Sequence, residues 1–115
     1  MNKKLLVLYK THLDIGFTDL SKNIVDLYLK EYIPNAINTA IELNDGGEKK
    51  FVWQTGSWIL NEYLKSVSGE ELRRAEYAIK NDLVSWHALP FTAHTELFTT
   101  ELLDYAIGIL CNSCI

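Results

Sequence analysis

The sequence predicts an α/β fold in which parallel strands alternate with helices. Three observations predict it. Short continuous apolar runs, Leu5-Leu-Val-Leu-Tyr9, Phe51-Val-Trp53 and Leu83-Val-Ser-Trp86, read as strands buried on both faces. Longer stretches between them carry apolar residues near 3.6-residue spacing. Clusters of turn residues separate the two kinds of stretch. The resulting order is β-α-β-α-α-β-α, which implies a parallel sheet with right-handed crossovers.

Taken in order, the first run is bulky and continuous, as a buried strand should be. Thr18-Asp19 then forms a polar turn. Ile24, Leu27, Tyr28, Ile37, Ala40 and Ile41 follow on one helical side, with a kink or restart expected at Pro34. Asn44-Asp-Gly-Gly47 is a stop signal. After the second strand, a helix from about Ser57 should turn Leu60, Tyr63, Leu64 and Val67 inward. Ser68-Gly-Glu-Glu71 has the spacing of a capping box, Ser68 accepting from the amide of Glu71 and Glu71 reaching back. The helix it opens carries Leu72, Ala75, Glu76 and Ile79 and breaks at Asn81-Asp82. Beyond the third strand, a helix from about Thr95 should carry Leu97, Phe98, Leu102, Ala106 and Ile109.

Length then restricts the architecture. The chain has 115 residues, enough for one domain. A complete β/α barrel takes about 250. Three parallel strands alone leave both faces and both edges to be covered. The chain therefore reads as a small three-layer sandwich or as the opening piece of a larger barrel. Its last residues, Ile107-Gly-Ile-Leu-Cys-Asn-Ser-Cys-Ile115, stop on an apolar note without a cap, which favours a chain cut short.

Composition excludes several classes. Lys and Arg number 11 against 15 Asp and Glu, for a net charge of −4, the wrong balance for a general nucleic-acid binder. No apolar run approaches the ~20 residues of a membrane span. The Met1-Asn-Lys-Lys opening resembles a signal peptide, but Lys10 ends its apolar part short of the ~7–15 residues required. A cytoplasmic protein without nucleic-acid or membrane partners is expected. The 2 cysteines, Cys111 and Cys114, are too few for a disulfide framework, and their CxxC spacing at the end of an apolar helix fits no redox pair, which opens a helix after a strand.

Parallel α/β folds place their sites at the carboxyl ends of strands. Those ends are residues 10–17, 54–58 and 87–96, and all 3 His fall in the first and third. The sharpest element is Thr11-His-Leu-Asp-Ile-Gly-Phe17. In extended chain His12 and Asp14 point the same way. An imidazole nitrogen and a carboxylate oxygen both ligate zinc. Gly16 allows a close backbone approach and Phe17 offers an apolar face to a sugar ring. The same spacing also fits an Asp14 that caps a turn and orients His12. His87, His94 and Glu96 lie on the same rim as further candidates, although His87 reads first as a hydrogen-bonded core residue and only second as a ligand. Trp53, Trp58 and Trp86 are read as packing residues.

The His-x-Asp-x-Gly-aromatic pattern at residues 12–17 resembles the first-strand motif of the zinc-dependent α-mannosidases of glycoside hydrolase family 38, in an uncharacterised bacterial branch. Phe51-Val-Trp-Gln-Thr-Gly-Ser-Trp58 resembles that family's second strand. Leu83-Val-Ser-Trp-His-Ala-Leu-Pro-Phe-Thr-Ala-His-Thr-Glu-Leu97 is similar, less closely, to its third strand and loop. The resemblance implies a seven-stranded β/α barrel, of which residues 1–115 would be the first three β/α units and an incomplete amino-terminal part. It implies retaining hydrolysis of α-mannosides, with a mannose-containing glycan as substrate. His12 and Asp14 would be zinc ligands, and Phe17 would stand where the family usually has Trp against the sugar. The nucleophilic Asp and a late His would lie beyond Ile115, leaving zinc binding weak or absent and the chain inactive alone. Uncovered barrel edges would then favour self-association. A metal-dependent sugar deacetylase on a similar barrel and a non-catalytic α/β module are the alternatives.

Overall fold

A computed structural model describes residues 3, 5, 7, 11, 13–15, 17–47, 49–87, 89–90 and 94–112. Helix α1 (Ser21–Leu27) runs into a π-helical turn (Tyr28–Tyr32) and then α2 (Ile33–Leu43). Strand β1 (Trp53–Gly56) leads directly into α3 (Ser57–Ser66), followed by α4 (Gly69–Lys80) and strand β2 (Val84–His87). A 3₁₀ turn (Thr95–Leu97) precedes α5 (Thr100–Asn112). Strands β1 and β2 pair in parallel, with Trp53 opposite Val84 and Gly56 opposite His87.

The expected three β/α units of a barrel are not found among the described residues. The sheet of the described residues has two strands, and helices dominate the fold. Leu5 and Val7, read as part of a strand buried on both faces, are outside any strand and are 87% and 58% exposed. A continuous apolar run names a buried strand only if a neighbour supplies a full ladder and two covering layers. Among the described residues one rung is present, the Thr11 amide donating to the Gln54 carbonyl at 3.1 Å. The other two strands stand close to their expected places, β1 at Trp53–Gly56 in place of Phe51–Trp53 and β2 at Val84–His87 in place of Leu83–Trp86.

The long first helix explains its own irregularity. Pro34 has no N–H to donate to the Lys30 carbonyl, and its ring crowds that carbonyl. The chain widens to a π turn just before it, Ile33 donating to the Tyr28 carbonyl, and the helix continues instead of restarting. Ile24, Tyr28, Ile33, Ile37 and Ala40 form its buried stripe. Asn44 ends α2 and fastens the loop that leads to β1. Its Nδ2 donates to the carbonyls of Ala40 and Phe51, both at 2.6 Å, and its Oδ1 accepts from the amides of Lys50 and Phe51 at 2.6 and 3.3 Å. The turn between needs positive φ at Gly46 and Gly47.

The core is shared among these elements. Ile33, Ile37 and Ala40 of α2 meet Trp53 of β1, Ile59, Leu60 and Tyr63 of α3, Ala75 and Ala78 of α4, and Leu83 and Val84 at β2. Arg74 ties α4 to α2 through two bonds to Asn38 Oδ1, at 3.0 and 2.7 Å. The end of α4 is a Schellman turn: the Leu83 amide donates to the Ala78 carbonyl at 2.8 Å and the Asp82 amide to Ile79 at 3.0 Å. Asp82 takes φ 54° in place of the usual glycine, a conformation Asp tolerates.

Two local expectations fail. Ser68 precedes α4 in extended geometry, but its side chain makes no cap hydrogen bond. Glu71 instead accepts from the Tyr63 hydroxyl at 3.2 Å, because the phenol is buried and requires a partner. The last helix begins at Thr100, not Thr95, and Leu97 is 78% exposed. Ala106 is buried in it. Among the described residues no helix is long and apolar enough to cross a membrane.

Burial, the Glu71 charge and the bond to Glu71 together raise the Tyr63 pKa well above its ordinary value, with Arg74 opposing. A folded-state pKa raised above the unfolded value gives stability that is present below pH 10 and lost as pH rises through the folded-state value. Urea unfolding between pH 8 and 11 is therefore expected to show wild-type stability falling above pH 10, more steeply than in Tyr63→Phe. Parallel profiles would refute this coupling.

Candidate functional site

Thr11, the residue before the His-x-Asp pair, docks on the first half of β1. Thr11 is held there twice, by its amide to Gln54 and by its hydroxyl, which accepts from Trp53 Nε1 at 2.6 Å. The residue pattern included Thr11 in the motif but gave it no role. The indole of Trp53, otherwise a core residue 5% exposed, positions the start of the His-x-Asp segment. Leu13, between the two proposed ligands, packs against the core.

His12 and Gly16 lie outside the described residues. Asp14 is exposed. Its charge reaches the Tyr28 phenol, whose pKa is raised first by burial, then by Tyr32 and then by Asp14. Tyr28 and Tyr32 meet edge to face at 5.1 Å and 74°, so Asp14 stands near an aromatic pair supplied by the π turn. Phe17 is 84% exposed.

The third segment divides. His94 Nδ1 and Glu96 Oε1 are brought together at 3.2 Å on the 3₁₀ turn, where both are exposed. His87, the last residue of β2, turns elsewhere: its Nδ1 lies 3.1 Å from the Leu89 carbonyl oxygen. Among the described residues no hydrogen bond or ion pair joins Asp14 to His87, His94 or Glu96, and no three His, Cys, Asp or Glu side chains group as a metal site. Cys111 lies in α5 and Cys114 outside the described residues.

The turn after β1 is the tightest place on this rim. A Cβ at Gly56 would stand 2.9 Å from the Pro90 carbonyl oxygen and 4.0 Å from His87 Cε1. That same carbonyl accepts from the Trp58 amide at 3.3 Å, satisfying one free donor at the start of α3. Gly56 is thus required by a close backbone approach. A glycine between a strand and a helix, with a proline after the next strand, was the available sequence signal.

Two polar atoms here are buried without a hydrogen bond, Ser57 Oγ and His87 Nε2. A carbonyl only accepts, so in the neutral imidazole Nδ1 carries the proton toward Leu89 and Nε2 presents a lone pair. A ring N–H held by a backbone carbonyl is the usual outer-shell support of a metal-bound histidine. Imidazole nitrogen and carboxylate oxygen are donor types that zinc takes, but among the described residues they do not gather as a metal site.

Comparison of the chain with protein-family models, with curated proteins and with solved structures finds no match. The functional reading rests on the residues themselves.

Proposed function

We propose that this chain contributes the opening part of a zinc-dependent site that hydrolyses α-mannosides with retention, His12 and Asp14 being zinc ligands and Phe17 an apolar face for the sugar. The nucleophilic carboxylate and the remaining ligands of that site would come from polypeptide outside these 115 residues. Such a site does not require three barrel units within this chain. What supports the proposal is the motif of residues 12–17 together with the docking of Thr11 on Gln54 and Trp53. That docking starts the motif beside the first half of β1. The exposure of Asp14 and Phe17 is what ligand contact requires. When bound, zinc would polarise sugar hydroxyls as a Lewis acid. Asp14 and His12 would hold it, and Phe17 would exclude water from one face of the sugar.

Zinc titration of the purified chain tests this proposal. Weak binding is expected, and His12→Ala or Asp14→Asn should each weaken it by at least ~10–100-fold, the loss that even outer-shell changes reach. The chain alone should leave an aryl α-mannoside unhydrolysed. Zinc binding indifferent to both substitutions, or turnover by the chain alone, would overturn the assignment.

A further inference from the structure

We propose that the cavity at the amino end of the sheet binds a small organic cation, an ammonium group on an apolar stem. The site is independent of the zinc reading. It lies where the strands begin, beside Leu83, and neither Asp14 nor Phe17 lines it. The cavity has a volume of about 330 Å³, at the small end of the range for ligand pockets.

Two helices end together here. Asn44 closes α2, Asn81 closes α4, and both line the cavity. A helix carboxyl end carries about half a negative charge, so two such ends make the cavity electronegative before any side chain is counted. Asp45, just past α2, adds a full charge to the lining. Its carboxylate has no hydrogen bond or ion pair among the described residues. The lysine of the lining does not answer that charge, because Lys49 Nζ is engaged at 3.2 Å by Asp82, which lies outside the lining. Asn81 donates through Nδ2 to the Tyr77 carbonyl at 2.8 Å, and its Oδ1 remains open as a second acceptor.

The rest of the lining suits an organic body. Ile41, Leu83 and Tyr77 supply its apolar part, and Tyr77 is 53% exposed. An ammonium group is attracted to an aromatic ring, and an alkyl stem to aliphatic side chains. For a bare metal ion the cavity is poor in ligands: among the described residues no three His, Cys, Asp or Glu side chains group together. An anion would meet Asp45 and both helix ends with like sign.

Titration of the full chain with n-butylammonium chloride, followed by ¹H–¹⁵N NMR, tests the assignment. 1-Butanol and sodium butyrate are the neutral and anionic probes of similar stem. Butylammonium should shift the amides of Gly46, Gly47 and Asn81 to saturation, bind about threefold or more tighter than either other probe, and weaken as salt rises. Asp45→Asn, on an exposed turn, should weaken it about two- to fivefold, the range of one exposed ion pair, and leave butanol unaffected. Tyr77→Leu keeps apolar surface, removes the ring and should cost a similar factor. Lys49→Gln should strengthen binding of the cation. No saturable shift, butanol or butyrate binding as tightly as butylammonium, Asp45→Asn without effect, or Lys49→Gln weakening the cation would each overturn the proposal. None of these outcomes bears on zinc, which His12→Ala tests separately.

Discussion

Replacing Trp53 by Ala is expected to destabilise the fold by about 3–5 kcal/mol, the range for deleting a buried aromatic side chain. Small domains have only about 5–15 kcal/mol in total, so the variant should be largely unfolded at moderate urea. Two losses combine. The indole fills the junction of α2, α3 and β1, where Ile33, Ile59 and Leu60 are nearly inaccessible, and Ala would leave a cavity. Its Nε1 also donates to the Thr11 hydroxyl at 2.6 Å, and that bond places the start of the proposed ligand segment. Trp53→Phe separates the two. It keeps most of the apolar volume and removes the donor, so it should cost less, about 1–2 kcal/mol, while the Thr11 amide loses protection from hydrogen exchange. Urea midpoints and amide exchange on both variants measure this. Equal protection of Thr11 in Trp53→Phe and wild type would show that the indole bond does not position the segment.

Asn44→Ala is the second large effect, about 2–3 kcal/mol from a residue that is only half-buried. The side chain makes four hydrogen bonds to backbone, two donated and two accepted. Its removal deprives the amides of Lys50 and Phe51 and the carbonyls of Ala40 and Phe51 of a partner, and groups stripped of partners cost more than the bonds themselves gave. Asn44→Asp keeps the acceptor and loses the donor, so it should fall between Ala and wild type. The amides of Lys50 and Phe51 should exchange faster in Asn44→Ala and not in Asn44→Asp. A cost under about 0.5 kcal/mol, typical of an ordinary surface change, would mean that the turn closes without this residue.

Asn44 also illustrates how much of the fold was legible. The Asn-Asp-Gly-Gly cluster marked the end of α2 correctly, because left-handed backbone is a local property of residue type. That the same Asn would reach seven residues ahead to fasten the approach to β1 was not legible. The apolar spacing in α2 and α3 located Ile37, Ala40, Leu60 and Tyr63 in the core, since a helix turns its face every 3.6 residues regardless of context. It missed Ile33, which the π turn before Pro34 carries inward. The capping box at Ser68 was read from spacing alone. It failed because Glu71 is claimed by Tyr63, which approaches from another helix.

The candidate site divides in the same way. His12, Asp14 and Phe17 were singled out by their order in the chain, and His87 by its place after a strand. What the tertiary structure added is the difference in surroundings between the two described rim histidines. His94 and Glu96 bond each other in solvent, whereas His87 has one nitrogen committed to a carbonyl and the other buried without a partner. No spacing rule separates these, because both histidines belong to the same strand end and its loop.

By itself, then, the sequence determined where α2 ends, that Ile37, Ala40, Leu60 and Tyr63 face inward, and which short motif carries ligand-type side chains. These follow from backbone preferences and from periodicity, which act over one or two turns. Only the tertiary structure decided that, among the described residues, two strands pair where three were expected, that Leu5 and Val7 stay outside a strand, and which partners the rim histidines take. Strand pairing and the satisfaction of buried polar atoms depend on partners distant in the chain. A local pattern can offer a group for such a bond, but it cannot say which distant group accepts it.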